Sequence, residues 1–205
     1  MAEPELKRPV VFAGENPLIL LYRPGGDDVV AVASYWRCVY SAEGEGEALV
    51  IWVDPGVSGL GERAPVGIYT DNVAMARMVW TNFNRHFAPL QNRGIEDVTP
   101  QGARFVQASE GRRLHRVTCS VGASTIELRW EDAFDAVQTV ATPEVAGQAW
   151  EVANVVLPCA KASISVDGVV VPGEVHYPEG DYQSSAFLAF CESWVALSEG
   201  LRTED

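Results

Sequence analysis

Residues 48–53 read Ala-Leu-Val-Ile-Trp-Val, six apolar side chains in a row with no polar residue at either parity. A β-strand with one face in water alternates apolar and polar residues, so this segment predicts a strand covered on both sides. Residues 152–157 have a similar pattern. A sheet closed into a barrel with a helix against it would supply both covers, and so would a partner subunit. We expect the barrel, with a two-sheet sandwich of solid interior as the alternative architecture.

Glycine-rich and acidic turn signals separate the apolar runs along the chain. The clearest are Gly25–Asp28, Glu43–Gly46, Glu110-Gly111, Val121-Gly122 and Asp167-Gly168. Each lies between two segments rich in β-branched or aromatic residues, which is the pattern of a hairpin. The segments that we interpret as strands are 9–13, 17–23, 29–40, 47–53, 103–108, 113–120, 124–130, 134–139, 148–156, 160–166, 169–177 and 185–195. The sequence therefore predicts an all-β fold, an antiparallel lipocalin-like (calycin) barrel of about ten strands.

One segment has helical rather than strand periodicity. Apolar residues recur at three- and four-residue spacing between Asp71 and Phe87, which predicts a helix near 71–87. Asp71 is suited to cap its start, and Pro89 would prevent its continuation. No repeat or linker divides the chain, so we expect 1–205 to form a single domain.

The charge balance excludes some classes of partner. The chain has 28 Asp and Glu against 15 Lys and Arg, a net charge of -13. Nucleic acids and anionic membranes both require a basic face, so neither is expected as a partner. The first residues lack a basic end followed by an apolar run, and no stretch is long and apolar enough to span a bilayer. We expect a cytoplasmic protein whose four dispersed cysteines are reduced, the alternative being two disulfides in a secreted protein.

A resemblance appears in the C-terminal third. Residues 158–177 read PCAKASISVDGVVVPGEVHY, in which Val-Asp-Gly turns one strand into the next before a segment with an acid and a histidine. Together with the aromatic residues 34–37 and the apolar residues 187–194, this resembles the carotenoid-hydratase-like lipocalins. The resemblance implies a lipocalin barrel. It also implies hydratase, esterase-like or cyclase activity on terpenoid or polyketide substrates, with no bound metal or nucleotide.

Three acid–base residues are candidates for catalysis. Glu174 and His176 share a parity on the predicted strand 169–177, and Glu192 lies on the final strand. A histidine oriented by a carboxylate is a common device for moving a proton near neutral pH. The alternative is that His176 lies at the end of its strand, at the solvent rim beside a turn. His115, in the basic run 112–116, is interpreted as part of a solvated strand face.

The candidate ligand-binding residues are mostly aromatic. Asn82 and His86 are four residues apart, which would place them on one face of the predicted helix. If the aromatic side chains face inward, they would line a cavity suited to a flat apolar molecule. Tyr35 and Trp36 are adjacent on a strand, so only one of them is expected to point inward. The candidates are Tyr35, Trp36, Trp52, Tyr69, Trp80, Asn82, His86, Trp130, Trp150, Tyr177 and Trp194.

Three functions follow from these residues. The first is a cofactor-free enzyme that moves protons on a hydrophobic small molecule in hydration, isomerisation or cyclisation. The second is a non-catalytic carrier or sensor of such a molecule. The third is a structural subunit whose apolar strands are covered by another chain, such as a second copy in a homodimer. The sequence contains no nucleotide-binding or paired-histidine zinc motif, so no cofactor or metal is expected.

Overall fold

The computed structural model describes residues 9–57, 59–177 and 184–197. Strands dominate it, and one α-helix, α1 (Val73–Asn82), lies among the described residues. The strands are β1 (Val10–Glu15), β2 (Leu18–Tyr22), β3 (Val29–Ser41), β4 (Gly46–Val53), β5 (Val66–Thr70), β6 (Gln101–Gly102), β7 (Arg104–Glu110), β8 (Leu114–Val121), β9 (Ser124–Ala133), β10 (Val137–Ala141), β11 (Glu144–Val145), β12 (Gln148–Val166), β13 (Val169–Val170) and β14 (Ala186–Ala196). The all-β class is therefore confirmed. The described residues contain 14 strands in one sheet rather than about ten, because several pairings involve segments of only two residues.

Each of the five predicted turns joins an antiparallel hairpin. The hairpins are β2–β3, β3–β4, β7–β8, β8–β9 and β12–β13. Gly111, Gly122 and Gly168 have φ between 56° and 79°, a region that glycine enters without a Cβ penalty. The short contact of β5 with β6 is parallel.

The long strand β12 joins two parts of the sheet. Its first half pairs with β14, and its second half, from Cys159 onward, pairs with β9. The main path of the sheet runs β6-β5-β4-β3-β1-β14-β12-β9-β8-β7. The two ends of this path, β6 and β7, are separated in the chain by Ala103 alone. The Ala103 N–H donates to the Thr70 carbonyl oxygen at 2.8 Å, and Arg104, the first residue of β7, is opposite Ser120 of β8.

Strand β4, which contains the apolar residues 48–53, is buried on both faces, as expected. Leu49 and Ile51 of β4 belong to a core on one face of the sheet, the inner core. This core also contains Tyr35 and residues of β8, β9 and β12. Val50 and Trp52 belong to an outer core, which α1 and the residues that follow it cover. The two faces of β3 and β4 therefore pack against different layers, which is why neither parity is polar.

The helix is shorter than predicted. It begins at Val73, because Asn72 rather than Asp71 is its N-cap and accepts from the backbone N–H groups of Ala74 and Met75. It ends at Asn82, and two 3-10 turns follow at Asn84–His86 and Ala88–Leu90. Asp71 instead accepts from the Glu47 N–H at 2.7 Å, which ties the helix start to β4. The last part of the predicted helix is thus an irregular segment lying over the sheet.

The predicted strand 169–177 is wrong beyond its first two residues. β13 ends at Val170, and only an isolated bridge joins Glu174 to Tyr22 further along. Pro172 and Gly173 interrupt the ladder, since proline has no N–H to donate. All four cysteines are free; Cys38, Cys119 and Cys159 are buried, whereas Cys191 is exposed. Among the described residues, no helix has the length and apolar character needed to cross a membrane.

Candidate functional site

A pocket of about 330 Å³ lies on the outer face of the sheet, where the 3-10 turn after α1 meets β3, β14 and β11. Its wall is mainly aromatic and aliphatic, with amide and hydroxyl groups at its base and a histidine and a carboxylate beside them. The lining residues are Asn16, Leu18, Ser34, Trp36, Phe83, Asn84, His86, Phe87, Glu144, Val145, Ala146, Phe187 and Trp194. Apolar walls with a few convergent polar groups are typical of small-molecule sites.

Ser34 organises the polar base of this pocket. Its Oγ accepts hydrogen bonds from Trp36 Nε1 and Asn84 Nδ2, both at 2.9 Å, and donates to Asn16 Oδ1 at 3.2 Å. Ser34 is itself buried on β3. A single hydroxyl can donate once and accept twice, so its hydrogen-bonding capacity is filled and the four side chains are held together.

Asn84 has one polar atom without a partner. Its side chain is 4% exposed, and its Oδ1 neither reaches solvent nor accepts a hydrogen bond in the described structure. Leaving a buried acceptor unpaired costs about 1–3 kcal/mol, so such a group calls for an explanation. A bound molecule that donates a hydrogen bond would supply one.

A buried carboxylate lies behind the pocket wall. Glu192 is 4% exposed, and its Oε1 accepts from Trp194 Nε1 at 2.7 Å. Asn154 Nδ2 lies 3.4 Å from Oε2, and Asn16 also hydrogen-bonds to this carboxyl group. Burial raises the pKa of Glu192 above its ordinary value, although these three donors oppose the shift. The carboxyl group does not line the pocket, but two of its partners, Asn16 and Trp194, do.

His86 and Glu144 are the ionisable side chains that line the pocket among the described residues. Both are exposed. The Nε2 of His86 is 3.2 Å from the Thr81 carbonyl oxygen. Glu144 belongs to β11, which leads into the tight turn at Ala146 and Gly147. A proton donor or acceptor and a charged group therefore lie beside the apolar wall.

The structure divides the predicted aromatic residues between the two faces of the sheet. Tyr35, Tyr69 and Trp130 face or pack against the inner core, whereas Trp36, Trp52, Trp80 and Trp194 belong to or pack against the outer core. Trp150 lies in a small cluster beside Trp194, and Tyr177 is exposed and stacks on Phe134. The expectation for Tyr35 and Trp36 is confirmed, since they point to opposite faces. Of all these rings, Trp36 and Trp194 line the pocket.

The inner-facing rings are engaged with other groups. Trp130 Nε1 donates to the Leu18 carbonyl at 2.9 Å, and the Tyr35 hydroxyl hydrogen-bonds to Glu47 and to Gln107 Nε2. On the outer side, the Arg93 guanidinium lies 3.9 Å from the Trp52 ring centre. These contacts hold the sheet together and fix the covering segment, which is α1 and the residues that follow it, to its outer face.

The predicted catalytic residues are not brought together. His176 lies in the irregular segment after β13, where its ring stacks on Tyr22 with 3.9 Å between ring centres. The Glu174 carboxylate accepts from the Gly25 N–H at 2.8 Å. Glu192 is bonded to residues of the outer face instead. The shared parity expected for Glu174 and His176 required a strand that does not form.

Two further expectations need correction. Asn82 ends the helix and is not among the residues that line the pocket, whereas His86 is, so the two do not form the expected pair on one helical face. His115 is not on a solvated face: it is 4% exposed and contacts Trp130 and Phe190. Both of its ring nitrogens lack a hydrogen-bond partner, and burial lowers its pKa.

Sequence reasoning missed the polar base of the pocket. Asn16, Ser34 and Asn84 come from three distant segments, and none stands in a recognisable motif. The Asn82–Phe87 region did contain the relevant signal, since aromatic and amide residues alternate there. Sequence periodicity could not locate the end of the helix, and for this reason it predicted Asn82 rather than Asn84 as a pocket residue.

Within residues 9–57, 59–177 and 184–197, no group of three or more His, Cys, Asp or Glu side chains could hold a metal ion. Comparisons with protein-family models, curated proteins and solved structures gave no match to this chain.

Proposed function

We propose that the protein binds a small hydrophobic molecule carrying a hydrogen-bond donor in the pocket between the 3-10 turn and the sheet. The unpartnered Oδ1 of Asn84 carries this proposal. It is a buried acceptor on a residue that lines a mainly apolar pocket, and a small shift of the Asn84 side chain would bring it to a ligand hydroxyl or N–H that satisfies it. Trp36, Phe83 and Trp194 supply flat apolar wall, which suits an aromatic or otherwise planar ligand.

The position of the pocket differs from the one expected from sequence. We infer a carrier or sensor whose binding site lies under the covering segment rather than inside the sheet. The inner core is filled by large side chains, among them Tyr35, Leu49, Ile51 and Trp130, which are no more than 1% exposed. This close packing supports a solid hydrophobic core on the inner face of the sheet rather than a ligand cavity.

A second candidate is an acid–base enzyme acting on the same ligand. It is favoured by one observation: a histidine, His86, and a carboxylate, Glu144, line the same pocket. His86 could then move a proton in a hydration, isomerisation or cyclisation, with the aromatic wall fixing the substrate. His86→Gln separates the candidates, since it would abolish turnover of a converted ligand and leave the binding of a carried one nearly unchanged.

We propose a lipocalin-like barrel, related to the carotenoid-hydratase-like lipocalins that residues 158–177 resemble. Its support is that the long strand β12 pairs with both β14 and β9, and that residues 101–104 connect β6 and β7, the two ends of the strand order. Four free cysteines support a reducing, cytoplasmic setting.

Matched probes test the pocket. Naphthol donates a hydrogen bond and methoxynaphthalene does not, so we expect naphthol to bind about tenfold more tightly by calorimetry. Asn84→Leu should remove this preference. Val145→Trp should block both probes by filling the pocket, whereas Val140→Trp, exposed on β10, should block neither. If the Val145→Trp protein binds the probes as tightly as the wild type does, the proposal is overturned. Native mass spectrometry of protein from its host would identify any natural ligand.

A further inference from the structure

We propose that the molecule bound in this pocket is an organic ammonium ion, a protonated amine attached to an aromatic or bulky apolar group. The inference rests on the proposed function, because it names the ligand class of the same pocket. Three features of the lining carry it: the sign of the charge, the number of aromatic rings and the unpartnered acceptor.

The charge at the pocket favours a cation. Glu144 lines it, and no lysine or arginine does so in the part of the chain that the structure describes. His86 is the one basic side chain there, and its Nε2 is directed at the Thr81 carbonyl oxygen. A carboxylate ligand would meet Glu144 as a like charge, whereas an ammonium group would be attracted to it.

The aromatic wall also favours a cation. Trp36, Phe83, Phe87, Phe187 and Trp194 all line the pocket. Aromatic rings attract ammonium groups through their negative faces, and tryptophan does so most strongly. The indole N–H of Trp194 donates to the Glu192 carboxyl group, which holds this ring in its place in the wall.

Asn84 supplies the directional contact. Its Oδ1 is sealed from solvent and accepts no hydrogen bond, so the ligand reaches it through a small shift of the Asn84 side chain. An ammonium N–H is a stronger donor than a hydroxyl because its hydrogen bonds are charge-assisted. A neutral alcohol would satisfy Asn84 and gain little from Glu144 or from cation–π attraction. The amine is therefore the ligand type that uses all three features.

Three compounds of nearly equal shape test the inference at neutral pH: phenethylamine, phenethyl alcohol and phenylacetate. We expect calorimetry to show the amine binding about tenfold more tightly than the alcohol, and phenylacetate binding most weakly. Glu144→Gln should weaken amine binding about threefold to fivefold and weaken alcohol binding by a smaller factor. Glu62→Gln removes the same charge from an exposed site outside the pocket and should change neither.

The outcomes separate the two proposals. If the alcohol binds as tightly as the amine, the ammonium inference is overturned and the pocket keeps its proposed function. If none of the three compounds binds at millimolar concentration, the ammonium inference fails, and the proposed function fails with it when naphthol does not bind either. Phe87→Leu supplies a second check, since it keeps the wall apolar and should weaken the amine more than the alcohol.

Discussion

Glu192 and Trp194 lie on the outer face of the sheet and are joined by a 2.7 Å hydrogen bond, although Leu188 and Phe190 of the same strand face the inner core. Strict alternation would have placed all four side chains on one face. A bulge intervenes: Val155 of β12 is opposite Phe190, but Ala153 is opposite Ser193, so β14 has one extra residue. One inserted residue thus creates both the Trp194 wall of the pocket and the buried carboxyl group behind it.

The bulge depends on Cys191, which has φ of 52° in the left-handed region. We expect Cys191→Gly to raise the free energy of unfolding by up to about 1 kcal/mol, because glycine adopts this conformation without strain. Cys191→Val should lower it by about 1–3 kcal/mol, since a β-branched residue is poorly accommodated there. Urea unfolding measures both. Ser193→Val, two residues further along the strand, is the control, and a Cys191→Val protein as stable as the wild type would contradict the role of the bulge.

Glu192 makes stability depend on pH in an unusual direction. Because burial raises its pKa above 4.5, the folded protein holds this proton more tightly than the unfolded chain does. The contribution of Glu192 to stability is therefore greatest when the carboxyl group is protonated, and it falls as pH rises from about 4.5 through the folded-state pKa.

Urea unfolding of the wild type and of Glu192→Gln over a series of pH values measures this effect. The stability of the wild type relative to the variant should decline as pH rises. Glu62→Gln controls for the change in net charge. A relative stability that increases with pH would show that the three donors to Glu192 outweigh its burial.

Much of the fold could be predicted because its signals are local. Turn residues such as Gly111 and Gly168 set the hairpins, and the two-sided apolar strand 48–53 required a cover on each face. The extent of α1 could not be predicted, since apolar spacing continues through Phe83 and Phe87 after the helix has ended. Phe83 is the C-cap of α1 and Phe87 has extended backbone, so both rings pack in the outer core although neither lies on a helix.

The site was harder to predict because long-range register positions it. Nothing in the residues around Cys191 marks a bulge, since the positive-φ position is not a glycine. The aromatic residues were recognised as important, but the position of Trp194 on the outer face depends on that bulge. Asn16, Ser34 and Asn84 meet only when β3, the segment before β2 and the 3-10 turn are assembled.

Ser34 should be more important to stability than its size suggests. Ser34→Ala removes the shared partner of Trp36 Nε1, Asn84 Nδ2 and Asn16 Oδ1, and we expect it to cost about 2–4 kcal/mol because these buried groups lose hydrogen bonds. Asn84→Ala should cost less, since it also removes an atom that has no partner. Chemical denaturation ranks the two variants, and a smaller loss for Ser34→Ala than for Asn84→Ala would refute this view of the polar base.

His115 also makes the stability of the protein depend on pH, with a loss of stability at acidic pH. Its side chain is buried between Trp130 and Phe190 and has no hydrogen-bond partner, so its pKa lies below 6.5. As pH falls below about 6.5, the unfolded chain takes up a proton before the folded protein does. Stability from this residue is therefore fully present above that pH and is lost as pH falls towards the folded-state pKa.

His115→Leu should remove this loss and leave stability at alkaline pH equal to or above that of the wild type, because neither ring nitrogen has a bond to lose. Urea unfolding of both proteins between acidic and alkaline pH gives the comparison, with the exposed His86→Gln as the control for losing a histidine. The difference in stability between the two proteins should be constant above neutrality and should change in favour of His115→Leu below it. If His115→Leu instead destabilises the protein equally at every pH, the imidazole makes a contact in solution that its buried, unpaired position does not provide.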